Sequence, residues 1–105
     1  MNVSPLTGDG GGMVMNLTRW RGQLGLPPAT DADAANLPTI DASGTKATVV
    51  EMSGTNVRTG QPAKLIGVIL PQGGQTWFYK LMGDPDLVTQ QKDALIQFVQ
   101  SAKYP

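Results

Sequence analysis

Three segments rich in β-branched and aromatic residues follow one another in the chain, at residues 45–53, 64–70 and 75–82. The links between them are short: residues 54–63 contain two glycines and a proline, and residues 71–74 read Pro-Gln-Gly-Gly. Links of this length join antiparallel strands, because a parallel crossover needs about a dozen residues or more. We therefore predict an antiparallel meander, with the nearly continuous apolar segment 64–70 as its central strand.

The C-terminal segment has the pattern of an amphipathic helix over about 85–102. Asp84 is a suitable N-cap, Pro85 suits the first helical position, and Asp86 favours the positive end of the helix dipole. One polar residue, Gln91, interrupts an apolar stripe at helical spacing. The rest of this stripe is Leu87, Ala94, Leu95, Phe98, Val99 and Ala102. We expect the helix to lie across one face of the sheet.

A second helix is predicted over about 12–25, in the N-terminal half of the chain. Its apolar stripe is Met13, Leu17, Trp20 and Leu24, spaced four, three and four residues apart. Gly25 is well placed as the C-terminal cap, and Pro27-Pro28 prevent continuation of the helix.

The remaining segments predict smaller elements. Residues 2–7 are a candidate short strand, which would raise the number of strands from three to four. Asp31–Asn36 is predicted to form a short helical turn that Pro38 ends, and the rest of 27–44 is predicted to be ordered loop. The chain is thus predicted to be a single α+β domain over residues 1–105, too short for two domains of ordinary size.

Composition restricts the chemistry, because the chain contains no cysteine and no histidine. This absence excludes disulfides, thiolate nucleophiles, histidine-based triads, and zinc or haem sites that use these ligands. Eight basic and eight acidic residues give a formal net charge of zero, so no global field attracts nucleic acid. We predict no catalytic residues, no metal site and no cofactor, and we expect a protein that is not an enzyme.

The glycine-rich turn before the first helix is one candidate site. Gly10, Gly11 and Gly12 lead into a helix N-terminus, whose free N–H groups attract anions. A phosphate loop would need Lys-Ser/Thr after the last glycine, and Met13 follows instead. The favoured interpretation is a flexible turn, and an anion site is the alternative.

Two other pairs of residues are candidate partner contacts. Arg19 and Arg21 flank Trp20, and the favoured interpretation is a core tryptophan between two solvated arginines. Trp77 and Tyr79 share one face of their strand, opposite to Phe78 and Lys80. If helices covered only the other face, the two aromatic residues would form a partner surface. The favoured interpretation is that a second helix covers the face left open.

Two segments resemble a group of uncharacterised bacterial proteins. Residues 16–27, NLTRWRGQLGLP, resemble the pattern N-x-N-R-W-R-x-Q-x-G-L, from which Thr18 departs at the usual second Asn. Residues 73–83, GGQTWFYKLMG, followed by the terminal helix, resemble the same group. Members are described as lipoproteins or exported proteins, and they are similar to the Mog1/PsbP-like fold, an antiparallel sheet flanked by helices.

The resemblance implies a binding or accessory role and an exported or periplasmic location. The chain itself shows neither the basic start and apolar stretch of a signal peptide nor an apolar window of about 18 residues for a membrane span. Because members of the group are longer at the N-terminus, we expect a shortened version with an exposed sheet edge. Exposed edges pair with other chains, so we predict a homodimer formed through this edge or through helix packing.

The sequence therefore favours a non-enzymatic binding or accessory module with an unidentified protein partner and no nucleic acid. Its expected contact surface is the Arg19 and Arg21 side of the helix, or the exposed face of strand 75–82. One alternative is a small-ligand or anion-binding protein, or an enzyme, with its site at Gly10–Gly12. Another alternative is a structural subunit of an envelope assembly.

Overall fold

An antiparallel sheet of five strands is the centre of the protein in a computed structural model that describes residues 2–7, 12–35 and 37–102. The elements in chain order are β1 (Asn2–Thr7), α1 (Met13–Gln23), α2 (Asp31–Ala35), β2 (Thr39–Ala42), β3 (Thr45–Thr55), β4 (Pro62–Gln72), β5 (Gln75–Gly83) and α3 (Pro85–Ser101). The strands lie in the order β1-β5-β4-β3-β2, and all neighbours are antiparallel. The predicted α+β class is confirmed.

The sheet contains five strands, whereas three to four were predicted. Strand β2 lies within 27–44, where ordered loop was expected, and pairs with the start of β3. The Ser43-Gly44 turn joins them, with both residues at positive φ, 51° and 79°, as a two-residue type I′ hairpin requires. Ser-Gly is a turn signal in the sequence, but a strand of four residues is too short to show alternation, so β2 was not predicted. The candidate strand at 2–7 is confirmed as β1.

Strands β3 and β4 are longer than predicted, so the loop between them covers 56–61 instead of 54–63. Thr55 pairs with Pro62, which is tolerated because it is the first residue of its strand. The next link is also shorter than predicted, since only Gly73-Gly74 separates β4 from β5. Both glycines have positive φ, 59° and 84°.

Helices cover both faces of the sheet, which explains the apolar run along β4. Leu65 and Ile69 pack in one cluster with Leu17 and Trp20 of α1 and with Leu24, the C-cap residue of that helix. Ile66, Val68 and Leu70 pack in a second cluster with buried residues of α3, which are Val88, Leu95 and Val99. We refer to the two sides as the α1 face and the α3 face.

The C-terminal end of α1 is fixed to the end of the sheet. Gly25 has a φ of 68°, and the Leu26 N–H donates to the Arg21 carbonyl oxygen at 2.9 Å, as in a Schellman cap. The predicted role of Gly25 is therefore confirmed. The Thr55 N–H donates to the Leu24 carbonyl oxygen at 3.0 Å, so the helix end and the end of β3 are directly bonded.

Candidate anion-binding cleft

A cleft of about 370 Å³ opens on the α1 face, close to the end of β5. Its walls come from the last turn of α1, from β5 and from the 56–61 loop. The lining residues are Gln23, Asn56, Val57, Arg58, Lys80 and Met82. The Val57 N–H donates to the Gln23 carbonyl oxygen at 3.2 Å, so the loop is tied to the helix that it faces.

Asn56 gives the loop its shape. Its carbonyl oxygen accepts from the N–H groups of Thr59 and Gly60, at 3.2 and 2.8 Å. Its side-chain oxygen accepts from the Arg58 N–H at 2.9 Å. These bonds hold the backbone of Arg58 in place, and this exposed residue lines the cleft.

Lys80 supplies the half-buried cation of the cleft. Its Nζ donates to the side-chain oxygen of Gln23 at 2.9 Å, so its hydrogen-bond partner is a neutral amide. Burial lowers the pKa of Lys80 below its ordinary value, and the neighbouring positive charge of Arg19 lowers it further. The folded structure therefore destabilises the protonated form of Lys80.

Lys80 and Arg58 line the cleft, and neither they nor the nearby Arg19 forms an ion pair with a described carboxylate. The ion pairs within the described ranges are Lys46–Asp41, Lys64–Glu51 and Lys92–Glu51. None of them includes Arg19, Arg58 or Lys80. A cleft whose lysine and arginine side chains are not neutralised by described carboxylates has a positive potential, which favours anion binding.

The structure separates Arg19 and Arg21, which the sequence presented as a pair. Trp20 between them is buried in the core, as the favoured interpretation expected. Arg19 is exposed, acts electrostatically on Lys80, and donates from its Nη2 to the side-chain oxygen of Asn16. Arg21 points to the other side of α1, where its Nε donates to the Pro27 carbonyl oxygen at 2.6 Å.

Gly12, the last glycine of the glycine-rich segment, lies at the opposite end of α1 from the cleft. Gly10 and Gly11 are outside the described residues. Gly12 is the N-cap residue of α1, with a φ of 93°, and its carbonyl oxygen accepts from the backbone and the side chain of Asn16 at 3.1 and 2.7 Å. The anion alternative at Gly10–Gly12 stays a prediction.

Trp77 and Tyr79 lie on the α3 face, while Phe78 and Lys80 lie on the α1 face. Tyr79 is only 2% exposed and contacts Phe98 of α3 edge-on, with ring centroids 6.0 Å apart. Trp77 is partly buried against the same cluster. Tyr79 is therefore a core residue here and offers no free partner surface, because α3 covers it.

Sequence reasoning missed most of the residues that line the cleft. Arg58 was part of a loop without a motif, and Lys80 was noted only as the neighbour of Phe78. The cleft combines residues from three elements that are far apart along the chain, so no local spacing indicates it. A single lysine within the aromatic strand was the one available signal.

Other features of the described residues are less suggestive of a ligand. A second hollow of about 240 Å³, between α3 and β5, is lined by Leu81, Gln91, Ala94, Leu95 and Phe98.

Across residues 2–7, 12–35 and 37–102, no group of three or more acidic side chains is placed to hold a metal, and no helix is long and apolar enough to cross a membrane. Comparisons of the chain with protein-family models, curated proteins and solved structures found no match.

Proposed function

We propose that this protein is a non-enzymatic binding module that takes an anionic group in the cleft between α1, β5 and the 56–61 loop. The observation that carries the proposal is Lys80, a half-buried ammonium bonded to the neutral Gln23 amide and close to Arg19. The site differs from the Gly10–Gly12 alternative, and of the two arginines expected to make contacts only Arg19 acts electrostatically on its lysine.

The physical argument is that a cation half-removed from water needs a compensating partner. Within the described residues no carboxylate supplies that partner to Lys80. A bound carboxylate or phosphate would accept charge-assisted hydrogen bonds from the ammonium and from the guanidinium of Arg58. Gln23 and Asn56 add amide groups, which can orient the remaining oxygens of the ligand.

The test is an NMR titration of the full chain with inorganic phosphate and with citrate, at constant ionic strength set by sodium chloride. We expect the amide signals of Gln23, Arg58 and Lys80 to shift together. Lys80→Gln should weaken binding about tenfold, which is about 1.4 kcal/mol. Lys46→Gln is the matched control, because Lys46 is exposed and pairs with Asp41.

Two results would contradict the proposal. One is the absence of any shift in the cleft signals with either anion. The other is equal weakening by Lys80→Gln and Lys46→Gln, because a diffuse charge effect would not distinguish a half-buried cation from an exposed one.

Self-association is a second candidate, favoured by the position of β1 at an edge of the sheet. Pro5 lies within this strand and has no N–H to donate, so a partner strand would meet an interrupted ladder. The alternative route, helix packing, would use Leu87 and Phe98 of α3, which are 61% and 47% exposed. Light scattering at high protein concentration tests both routes: a dimer mass supports the candidate, and a monomer mass opposes it.

A further inference from the structure

The amine of Lys80 has the surroundings that activate a lysine as a nucleophile. It lies in an open cleft, its Nζ is held at 2.9 Å from the Gln23 oxygen, and its charged neighbour Arg19 is also a cation. Partial burial and a nearby positive charge both favour the neutral amine, which is the form that attacks carbonyl carbons.

The same cleft offers a place for a carboxylate beside that amine. Arg58 lines it, and Arg58 and Arg19 are both free of described carboxylate partners. The opposite part of the lining is apolar, formed by Val57 and the half-buried Met82. A ligand that fits these groups carries a carboxylate, a reactive carbonyl next to it and a short alkyl group.

We propose that Lys80 forms a reversible imine with a small 2-oxo acid bound in the cleft. This inference rests on the proposed function, because the carboxylate of the 2-oxo acid would occupy the anion position. Arg58 would bind the carboxylate, Lys80 would bond to the keto carbon, and the alkyl group would contact Val57 and Met82.

The chemistry balances without an oxidant or a reductant. The lone pair of the neutral Lys80 Nζ attacks the keto carbon, a C–N bond forms, and the carbonyl electron pair moves to oxygen. This oxygen takes a proton from solvent, and the nitrogen, now positively charged, gives one up to solvent. The resulting carbinolamine loses water as the C=N bond forms. One amine and one ketone thus become one imine and one water, and hydrolysis reverses the step.

The charged groups near Lys80 belong to two of the elements around it. Arg19 on α1 acts on it electrostatically, and Arg58 lines the same cleft from the 56–61 loop. Its neighbours across the strands are Asn2 on β1 and Gly67 on β4, neither of which ionises. None of these described neighbours is a carboxylate, so none of them holds the amine in its protonated form.

The experiment traps the imine by reduction. The full chain is incubated near neutral pH with pyruvate and sodium cyanoborohydride, and peptide mass mapping locates the N-(1-carboxyethyl) group on each lysine. We expect labelling at Lys80 to be at least about tenfold faster than at the exposed Lys46. Lys80→Arg should remove this fast label, and circular dichroism verifies that the variant is folded.

Two comparisons test the role of the Lys80 amine and the role of the anion position separately. Arg58→Gln should slow labelling by pyruvate several-fold and leave labelling by acetone, which has no carboxylate, unchanged. Excess inorganic phosphate should likewise slow labelling by pyruvate at Lys80 and not at Lys46, since only Lys80 shares its cleft with the proposed anion position.

The outcomes distinguish the two proposals. If phosphate shifts the cleft signals but Lys80 labels no faster than Lys46, the imine inference is overturned and the anion-binding function stands. If Lys80 labels quickly but equally with pyruvate and acetone, and phosphate has no effect, the carboxylate position is wrong and the 2-oxo acid inference fails. If neither phosphate binding nor fast labelling occurs, both proposals fail.

Discussion

Trp20 lies against the sheet because the residue beneath it, Gly67, has no side chain. A Cβ built at Gly67 would overlap the indole ring. The ring also packs edge-on against Phe78, with centroids 6.2 Å apart. Gly67 pairs with Lys80 on the neighbouring strand, so the packing of Trp20 and the position of the cleft lysine depend on the same part of the sheet.

We expect Gly67→Ala to destabilise the protein by about 1–3 kcal/mol, because the added methyl group overpacks the core. Urea denaturation measures the change in the free energy of unfolding. Gly83→Ala is the matched control in a strand: its Cβ would meet only a methyl group of Val88 at 3.8 Å, an ordinary contact. A Gly67→Ala variant as stable as the wild type would contradict this account of the Trp20 site.

Because of Lys80, the free energy of unfolding should also depend on pH in the alkaline range. Because its folded-state pKa is lowered, the cost of keeping the charged form is fully present below that pKa. The cost disappears as pH rises through the folded pKa towards the ordinary value of 10.5. We therefore expect Lys80→Gln to be most favourable, relative to wild type, near neutral pH.

The measurement is urea denaturation of wild type and Lys80→Gln at a series of pH values from neutral to about 10. The stability of the variant relative to wild type should fall over this range. A constant difference would show that the amine titrates alike in the folded and unfolded chain.

The carboxylate of Glu51 connects three elements on the α3 face, which are β3, β4 and α3. Glu51 on β3 pairs with Lys92 on α3 and with Lys64 on β4, the latter at 3.3 Å. Lys64 also donates to the Thr89 hydroxyl on α3 at 2.9 Å. The hydrogen bond from Lys92, assisted by Lys64, lowers the pKa of Glu51 although partial burial raises it.

Replacing Glu51 by Gln should cost about 0.2–1 kcal/mol near neutral pH, the range for exposed ion pairs, since its side chain is 35% exposed. A carboxylate with a lowered folded pKa stabilises the protein above its unfolded value, 4.5, and this contribution is lost as pH falls through the folded value. The difference from wild type should therefore vanish in strong acid.

Chemical denaturation at neutral and at acid pH checks this expectation, and high salt should reduce the neutral-pH difference. Asp93→Asn on the same helix is a suitable control, because its carboxylate is in none of the described ion pairs. Equal losses for the two variants would contradict a specific role for Glu51.

Helix ends are the elements that sequence reasoning placed best. The second helix was predicted over about 12–25 and covers 13–23, and the C-terminal helix was predicted over about 85–102 and covers 85–101. Asp84 accepts hydrogen bonds from the N–H groups of Asp86 and Leu87, as an N-cap should. Caps are local interactions between neighbouring residues, so they can be recognised from the sequence.

At the scale of the whole molecule, binding and folding are linked. An anion that binds only the folded chain raises the free energy of unfolding, by about 2.7 kcal/mol at a hundredfold excess over its Kd. We expect inorganic phosphate to raise the melting temperature in proportion to the logarithm of its concentration. Sodium chloride at equal ionic strength is the control.

Lys80→Gln should flatten this phosphate dependence, while Lys46→Gln should keep it. A rise of the same size with chloride, or in the Lys80→Gln variant, would indicate a general salt effect and not binding in the cleft. The readout uses the intact chain and needs no knowledge of the natural ligand.

The α+β class, the antiparallel order of β3, β4 and β5 and the two main helices could be predicted from the chain, because hydrophobic periodicity, caps and short links are local properties. The tertiary fold was needed to show that α3 buries Tyr79 and that the side chains of Arg19 and Arg21 lie apart. It also brought Gln23, Arg58 and Lys80 to one cleft. Such positions depend on contacts between residues far apart in the chain, which no local pattern encodes.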